Sequence, residues 1–409
     1  MNLVSRLLSA TALIGAASTA NATELEVTHW WTSGGEAAAV SEFARLFNDT
    51  GNTWIDGAIA GSGSTARPII ISRILGGDPM GATQLNHGRQ AEELIEAGLM
   101  TDLTSLYEEN GFLDVIHPKS LVDSCTLDGK IYCIPVNIHS WQWMWLSNKV
   151  YEDRGLAVPQ DWDAFGESAP TLAADGIIPL AMGQVGWQQN GAFNVMAVAI
   201  AGIDAWKKVF VEKDAETVMG PEYTKVFQAA ANAREFAKDS NVQDWNLATN
   251  LVITDKAGAQ IMGDWAQGEF AVAGEVAGVD YTCLPGLGEN EILDTAGDAF
   301  YFPVNDDPDV QAAQLELAKL LLSKEAQVAF NLKKGSLPVR GDVDLSAAND
   351  CMKKGLQLLA DGKIMPSGDQ AMTPDTTTQL EDLMSEFWAS DMSAEEVQQQ
   401  YHDIIAAAE

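Results

Sequence analysis

Basic residues are scarce in this sequence. Lys and Arg total 24 against 58 Asp and Glu, which gives a formal net charge of −34. Nucleic acids and anionic membrane surfaces bind proteins through clusters of Lys and Arg. The charge balance therefore argues against both as partners, and the excess of acid is typical of a well-solvated surface.

Long apolar runs are also missing. Beyond residue 22, no window has the roughly 20 uninterrupted apolar residues that a transmembrane helix requires. The first residues have the composition of a signal peptide: Arg6 precedes an apolar segment at 7–17, and Ala20-Asn21-Ala22 forms a small-x-small cleavage site. We therefore predict a cleaved export signal over residues 1–22 and no direct membrane insertion. No cysteine follows this segment, which argues against a lipid anchor.

Cysteine is rare, and metal-binding patterns are absent. The four cysteines include no CxxC pair, the five histidines do not cluster, and no Lys follows the Gly/Ser turn at 61–65 in the P-loop pattern. We expect no metal and no cofactor. An even number of cysteines in an exported protein predicts disulfides. Cys125 and Cys133 flank the turn Asp128-Gly129, and a three-residue loop at 128–130 would place them opposite each other. Cys283 then pairs with Cys351.

What the sequence does contain is a succession of strand–helix units. An apolar, β-prone run ends at Trp30 and Trp31, and a helix follows with Val40, Phe43 and Phe47 at helical spacing. Residues 53–60 predict a second strand, a helix with Ile69 and Ile74 follows the Gly/Ser turn at 61–65, and a short strand ends near residue 87. Such units predict a parallel α/β lobe. The chain exceeds what one core usually serves, so two lobes are expected.

The adjacent indoles mark a candidate binding site. Neighbouring residues on a strand point to opposite faces, so one of Trp30 and Trp31 can face the core while the other faces outward at the strand tip. Ligands bind beyond the carboxyl ends of strands in open α/β sheets. A flat ring there suits a pyranose, although tryptophan is usually core or half-buried. Ser33 and Glu36 also match a capping box, so Glu36 is a cap, a ligand group, or both.

A second aromatic run follows the hairpin. In residues 134–145 the pattern has period two, with Trp141, Trp143 and Trp145 on one face. Three indoles on one strand face are more often core than binding site. We predict that this strand crosses into the second lobe.

Five motifs follow one another along the chain: His29–Glu36, Pro135–His139, Val158–Phe165 with Asp175–Gly183, Lys256–Trp265 and Lys334–Arg340. In this order they resemble the extracellular solute-binding proteins (family 1) of carbohydrate ABC importers. The first two are similar to the bacterial glucose-binding branch.

This resemblance implies a fold, a location and partners. The fold is the α/β, two-lobe periplasmic-binding-protein fold (type II), in which each lobe is a mixed or parallel sheet flanked by helices and crossing segments join discontinuous lobes. By analogy, residues 23–138 plus 286–338 form lobe 1, and 139–285 plus 339–409 form lobe 2. A monomeric, non-catalytic periplasmic protein is implied, which binds a monosaccharide and delivers it to the membrane permease subunits of an ABC importer.

The resemblance also implies a ligand site. Trp30 or Trp31 and Trp265 would sandwich the sugar ring, and charged groups would bind its hydroxyls because charged hydrogen bonds are the stronger ones. Structural alternatives exist: Asp264 could cap the next helix, Lys334 could interact with a helix dipole, and Trp187 and His139 could be packing residues. The complete predicted set is Trp30, Trp31, Glu36, Gln84, Asn86, His139, Trp187, Asp264, Trp265, Asp298, Lys334 and Gln370.

The sequence departs from the glucose-binding branch at several of these positions. Asn86 stands where the branch tends to place a cation, with His87 shifted by one, and Gln370 lies in a segment where the branch has a histidine. Ser140 and Trp141 replace an expected Arg and a smaller apolar residue. The expected ligand is therefore a neutral sugar, with glucose or a related monosaccharide favoured. The alternatives are a secreted glycoside hydrolase, for which no catalytic motif is present, and the same fold binding a polyamine, an amino acid or a small oligosaccharide.

Overall fold

The computed structural model describes residues 22–408. The predicted export signal lies outside the described residues except for Ala22. Two mixed sheets with helices packed against them form an α/β fold of two lobes, as predicted. Within residues 22–408, no helix combines the length and apolar character needed to cross a bilayer.

Most strands are short. In chain order they are β1 (Glu24–His29), β2 (Thr53–Ala58), β3 (Ala82–Asn86), β4 (Thr126–Leu127), β5 (Lys130–Ile131), β6 (Cys133–Pro135), β7 (Trp143–Ser147), β8 (Ile178–Ala181), β9 (Ala257–Ile261), β10 (Tyr281–Pro285), β11 (Leu293–Asp294), β12 (Asp298–Tyr301) and β13 (Ile364–Met365).

Helices connect the strands and form the C-terminal part of the chain. They are α1 (Gly34–Asp49), α2 (Ser62–Leu75), α3 (Glu92–Glu96), α4 (Thr104–Asn110), α5 (Phe112–Val115), α6 (Ser120–Asp123), α7 (Asn148–Glu152), α8 (Trp162–Ala174), α9 (Gly186–Met196), α10 (Ile203–Phe210), α11 (Ala215–Val218), α12 (Pro221–Phe236), α13 (Trp245–Ile253), α14 (Ala266–Ala273), α15 (Pro308–Leu321), α16 (Lys324–Lys334), α17 (Asp350–Ala360), α18 (Gly368–Ala371), α19 (Pro374–Ala389) and α20 (Ala394–Ala407). Short 3₁₀ turns lie at Arg89–Ala91 and Gly286–Gly288, and a π-helical turn at Ala197–Ala201.

The first sheet has the strand order β2-β1-β3-β12-β6. β1 pairs in parallel with β2 and β3, which confirms the parallel strand–helix units predicted from the sequence. β12 returns from much later in the chain and pairs antiparallel with β3 and β6. Helix α1, which Ser33 caps, buries Val40, Phe43 and Phe47 against this sheet, so its core-facing stripe is confirmed.

The second sheet has the order β10-β7-β9-β8. β8 and β9 are parallel, whereas β7 is antiparallel to both of its neighbours. The last helices pack here, since α19 contacts α9 and α20 contacts α12. Their buried apolar side chains join the core of this sheet, with Phe193, Phe227 and Tyr401 in mutual ring contact.

Extended segments join the two sheets. The chain leaves the first sheet after Pro135 and enters the second at Trp143, so the single strand predicted over 134–145 is in fact two strands, β6 and β7. The residues between them hydrogen-bond elsewhere: the Ile138 N–H donates to the carbonyl of Leu337, and the His139 N–H to that of Ala296. The lobe boundaries at 138, 285 and 338 stay a prediction.

Both predicted disulfides are confirmed, with Cα–Cα distances of 5.1 Å for Cys125–Cys133 and 6.1 Å for Cys283–Cys351. The predicted three-residue loop is wrong. Leu127 pairs with Lys130, so Asp128 and Gly129 form a two-residue turn in which both have positive φ, as hairpin turns of this length require.

Candidate functional site

A cleft of about 320 Å³ lies between the part of the fold that contains the first sheet and the part that contains the second. Its walls come from both parts of the fold: β12 and the ends of α1 and α16 on one side, α9 and the segment before α14 on the other. This volume falls in the range of about 300–1,000 Å³ that is typical of small-molecule sites. The same cleft contains indoles and ionisable side chains.

The two adjacent tryptophans after β1 separate as the strand geometry requires. Trp31 is buried in the core of the first sheet, with its ring centroid 5.7 Å from that of Phe300 and 5.1 Å from that of Phe330. It therefore does not line the cleft. Trp30 does, beside helix α2. Trp31 instead contacts a residue that lines the cleft. The Lys334 ammonium is 5.2 Å from the Trp31 ring centroid, within cation–π range.

Trp265 lines the cleft from the opposite side. Its ring lies against Gly263, where a Cβ atom would approach the indole to 2.1 Å. The glycine in the Gly-Asp-Trp motif therefore makes room for this ring position. The ring centroid of His139 lies 5.0 Å away at an interplanar angle of 62°. An aromatic ring and hydrogen-bonding groups thus meet at one place in the cleft.

A buried charge cluster forms the polar floor of the cleft. Lys334, which is 2% exposed, donates to Glu36 at 3.1 Å, and its Nζ lies 3.7 Å from Asp298. His139 Nδ1 lies 3.2 Å from the same Asp298 oxygen. Gln84 completes this arrangement by donating to the other Asp298 oxygen at 2.7 Å.

The pKa values of the cluster follow from burial and from these neighbours. Burial raises the pKa of Glu36, although Lys334 acts in the opposite direction. Burial by itself raises the pKa of Asp298, but Lys334, His139 and the Asn137 amide outweigh it and hold the pKa well below its usual range. Burial by itself lowers the pKa of Lys334 and of His139, but the neighbouring carboxylates outweigh it and raise both. Lys334 and Asp298 are therefore charged at neutral pH.

Glu36 is not the second half of a capping box. Ser33 does cap α1, since its hydroxyl accepts from the Glu36 N–H at 3.4 Å. The Glu36 carboxylate, however, accepts from the Ser33 hydroxyl and from Lys334. Its charge pairing with Lys334 explains why an acidic side chain is buried at the start of this helix.

Asp264 does not cap α14, and it is not among the residues that line the cleft; its contact with a ligand stays a prediction. Its Oδ2 accepts from the Ser140 N–H at 2.9 Å, so it joins the crossing segment to the residues that precede Trp265. Burial raises the pKa of Asp264 to about 8. Its Oδ1 has no hydrogen-bond partner among the described residues.

Most of the predicted ligand-binding residues line the cleft, which is a statement of position only; their contact with a ligand stays a prediction. Gln84 lies behind the wall, where its amide positions Asp298 and accepts from the Trp30 N–H. Gln370 lines a separate cavity beside Arg89. The predicted residues that line the cleft are Trp30, Glu36, Asn86, His139, Trp187, Trp265, Asp298 and Lys334.

Several cleft residues were not predicted. The spacing of Trp141, Trp143 and Trp145 favours the core for all three. Only Trp143 and Trp145 are fully buried; Trp141 lies before the start of strand β7 and does not share their environment. Period-two spacing does not show where a strand begins. No sequence signal singles out the others, which include Arg67, Gln142, Asn190, Asn194, Trp245 and Asp294.

Over residues 22–408, no group of three His, Cys, Asp or Glu side chains is placed to bind an ion.

Sequence comparison places the chain in a family. Residues 33–328 match the profile of the bacterial extracellular solute-binding proteins. The chain belongs to this family. A solute-binding protein of Brucella melitensis named "Probable sugar-binding periplasmic protein" is 36% identical over 350 residues, which are 84% of this chain and 82% of the relative.

Solved structures of other solute-binding proteins have the same fold. A chitin oligosaccharide binding protein superposes with a TM-score of 0.77 at 19% identity, covering 95% of this chain and 99% of the other. The receptor AcbH, described as preferring β-D-galactopyranose, superposes with a TM-score of 0.76 at 20% identity, covering 93% and 98%. At these identities the similarity establishes the fold alone.

Proposed function

We propose that this solute-binding protein binds a neutral sugar in the cleft and delivers it to the permease of an ABC importer. The observation that carries the proposal is the placement of Trp265 beside His139 in a cleft whose floor is the cluster of Glu36, Asp298 and Lys334. An indole packs against the C–H face of a pyranose, and charged groups make strong hydrogen bonds to its hydroxyls. The name of the Brucella melitensis relative supports the same ligand class.

We expect the sugar ring that binds beside the cluster of Glu36, Asp298 and Lys334 to be glucose or a related monosaccharide. Basic groups of the protein itself face both acidic groups of the cluster, because Lys334 lies between the Glu36 and Asp298 carboxylates and His139 contacts Asp298. A neutral ligand therefore does not need to supply a counter-charge there. A polyamine would require unpaired carboxylates, so the position of Lys334 argues against that alternative.

Glycoside hydrolysis is the alternative from another functional class. Hydrolases use one protonated and one ionised carboxyl group, and the opposite pKa shifts of Glu36 and Asp298 resemble that pattern. Asp298, however, is held by Gln84, Asn137 and His139, so its oxygens are already engaged. We therefore assign these groups to binding. Release of reducing sugar from an aryl glycoside would favour the hydrolase.

Titration calorimetry with a panel of neutral monosaccharides and disaccharides, and with spermidine, tests the proposal. We expect saturable binding of at least one sugar and none of the polyamine. Absence of binding to every sugar at millimolar concentration would reject the proposed function.

We also propose a periplasmic location and export through the predicted signal. The periplasmic name of the relative supports this. Sequencing the N-terminus of protein recovered from the periplasmic fraction tests it, with Thr23 as the expected first residue. A chain that starts at Met1 and stays in the cytoplasm would contradict it.

A further inference from the structure

The wall of the cleft beside helix α9 is lined by neutral amides. Gln142 comes from the crossing segment, and Asn190 and Asn194 come from α9. Residues four apart on a helix share one face, so the two asparagines line this wall together. We call Gln142, Asn190 and Asn194 the amide wall.

The amide wall has unmet hydrogen-bonding capacity. Within residues 22–408, the side-chain carbonyl oxygens of Gln142, Asn190 and Asn194 have no partner. Gln142 and Asn190 are only 2% and 7% exposed. Buried polar groups in folded proteins are nearly always paired, and an unpaired one is costly because it has lost its hydrogen bonds to water. The cluster of Glu36, Asp298 and Lys334 differs, because protein groups already donate hydrogen bonds to both carboxylate oxygens of Asp298. A bound molecule with hydroxyl donors would satisfy the amide wall.

An aromatic ring stands beside the amide wall. The Trp141 indole lies on α9 against Gly191, where a Cβ atom would approach the ring to 2.3 Å. Its centroid is 4.9 Å from that of Trp265 and 5.5 Å from that of Trp187. Trp265 in turn contacts His139 of the charge cluster. The cleft therefore has an indole next to the charged cluster and a second indole next to the amide wall.

We propose that Trp141 and the amide wall form a second sugar subsite, so that the ligand is a neutral disaccharide. This inference rests on the proposed function and extends it. One ring lies at Trp265 and the charged cluster, and the linked ring lies at Trp141 and the amides. Amides provide donors and acceptors without charge, which matches the hydroxyls of a neutral sugar. The three side chains of the amide wall are uncharged, which suits a sugar ring without an ionic substituent.

Calorimetry on two leucine variants tests the second subsite. Asn190→Leu and Asn194→Leu remove the amides while keeping side-chain size. We expect at least about a tenfold loss of affinity for disaccharides of glucose, and less than about a twofold change for glucose. Asn250→Leu, an exposed position on α13, is the matched control. Because the amide oxygens are unpaired in the free protein, the melting temperature without ligand should stay the same or rise.

A third variant tests the role of the Trp141 indole. Gly191→Ala must displace the Trp141 indole and should reproduce the selective loss of disaccharide affinity. Variants that bind mono- and disaccharides as wild type does would overturn the second subsite. Equal loss for both sugars would also overturn it, because the amides would then belong to a one-ring site. A wild-type protein that binds no sugar at all is a failure of the proposed function, which this comparison keeps distinct.

Discussion

The ammonium group of Lys334 lies 3.1 Å from a carboxylate oxygen of Glu36, although the two residues are 298 positions apart in the chain. Glu36 lies in the first turn of helix α1 and Lys334 ends helix α16, and these helices pack against each other. The positive charge at the end of one helix is thereby buried against the negative charge at the start of another. Both charges also border the cleft, so we expect substitutions in this pair to affect both stability and ligand binding.

Removing this cation should destabilise the fold. Lys334→Met leaves the buried carboxyl of Glu36 without its cationic partner, and breaking a buried pair costs about 3–5 kcal/mol. Chemical denaturation at neutral pH measures the effect. Lys333→Met, at the exposed adjacent position, is the control and should leave the unfolding free energy within about 0.5 kcal/mol of wild type. An equal effect of both substitutions would contradict the pairing.

The buried carboxyl of Asp264 should make stability depend on pH. Its pKa is about 8 in the folded protein, against about 3.9 for an ordinary Asp. The folded state keeps a proton that the unfolded chain releases, so the contribution of Asp264 to stability falls as the pH rises from about 4 to about 8. Asp264→Asn removes this titration.

We therefore expect the free energy of unfolding of Asp264→Asn to rise relative to that of wild type as the pH increases, by up to about 1.4 kcal/mol per pH unit in that window. Urea denaturation at a series of pH values provides the comparison. Asp114→Asn, an exposed carboxylate on α5, should show no such slope. A constant difference between Asp264→Asn and wild type would show that the carboxyl is ionised in the folded state.

Trp265→Ala should abolish most sugar binding while the fold survives. An anchoring aromatic residue contributes about 2 kcal/mol or more, which corresponds to about a 30-fold loss of affinity. Calorimetry measures the loss, and circular dichroism checks the fold. Trp388→Ala, on α19 outside the cleft, is the control for loss of an indole as such. An unchanged dissociation constant in Trp265→Ala would exclude Trp265 from the binding site.

The two disulfides should contribute unequally to stability. Their half-cystines are 8 and 68 residues apart, and loop-closure entropy assigns them about 2.5 and about 4.4 kcal/mol. Replacing Cys283 and Cys351 by Ser should thus lower the melting temperature more than replacing Cys125 and Cys133. Titration of wild type without reductant should find almost no free thiol. Two or more reactive thiols would contradict both pairings.

A glycine contact joins α1 to α14. A Cβ atom on Gly35 would lie 2.4 Å from the backbone carbon of Gly268, so Gly35→Ala must push the two helices apart. Overpacking of this kind costs about 1–3 kcal/mol. Gly166→Ala, in α8 with open space around it, is the control and should keep or raise the melting temperature. A stable Gly35→Ala protein would show that the contact can relax.

Much of the local structure could be predicted from the sequence alone. Helix α1, with its Ser33 cap and apolar stripe, follows from interactions within a few residues. The parallel strands β1 to β3 follow from alternating strand and helix patterns, and the Cys125–Cys133 pair from a turn signal between them. It is likewise a consequence of strand geometry that one of Trp30 and Trp31 faces the core and the other the cleft, although the sequence does not specify which one does which.

The tertiary structure alone decided which distant groups meet. The pairing of Glu36 with Lys334, the use of Asp264 to hold the crossing segment, and the placement of Trp141 on Gly191 each join residues from separate elements. Capping and periodicity act over a few residues and carry no information about such contacts. They arise only when the two sheets and their helices pack, because packing removes these groups from water and makes their partners matter.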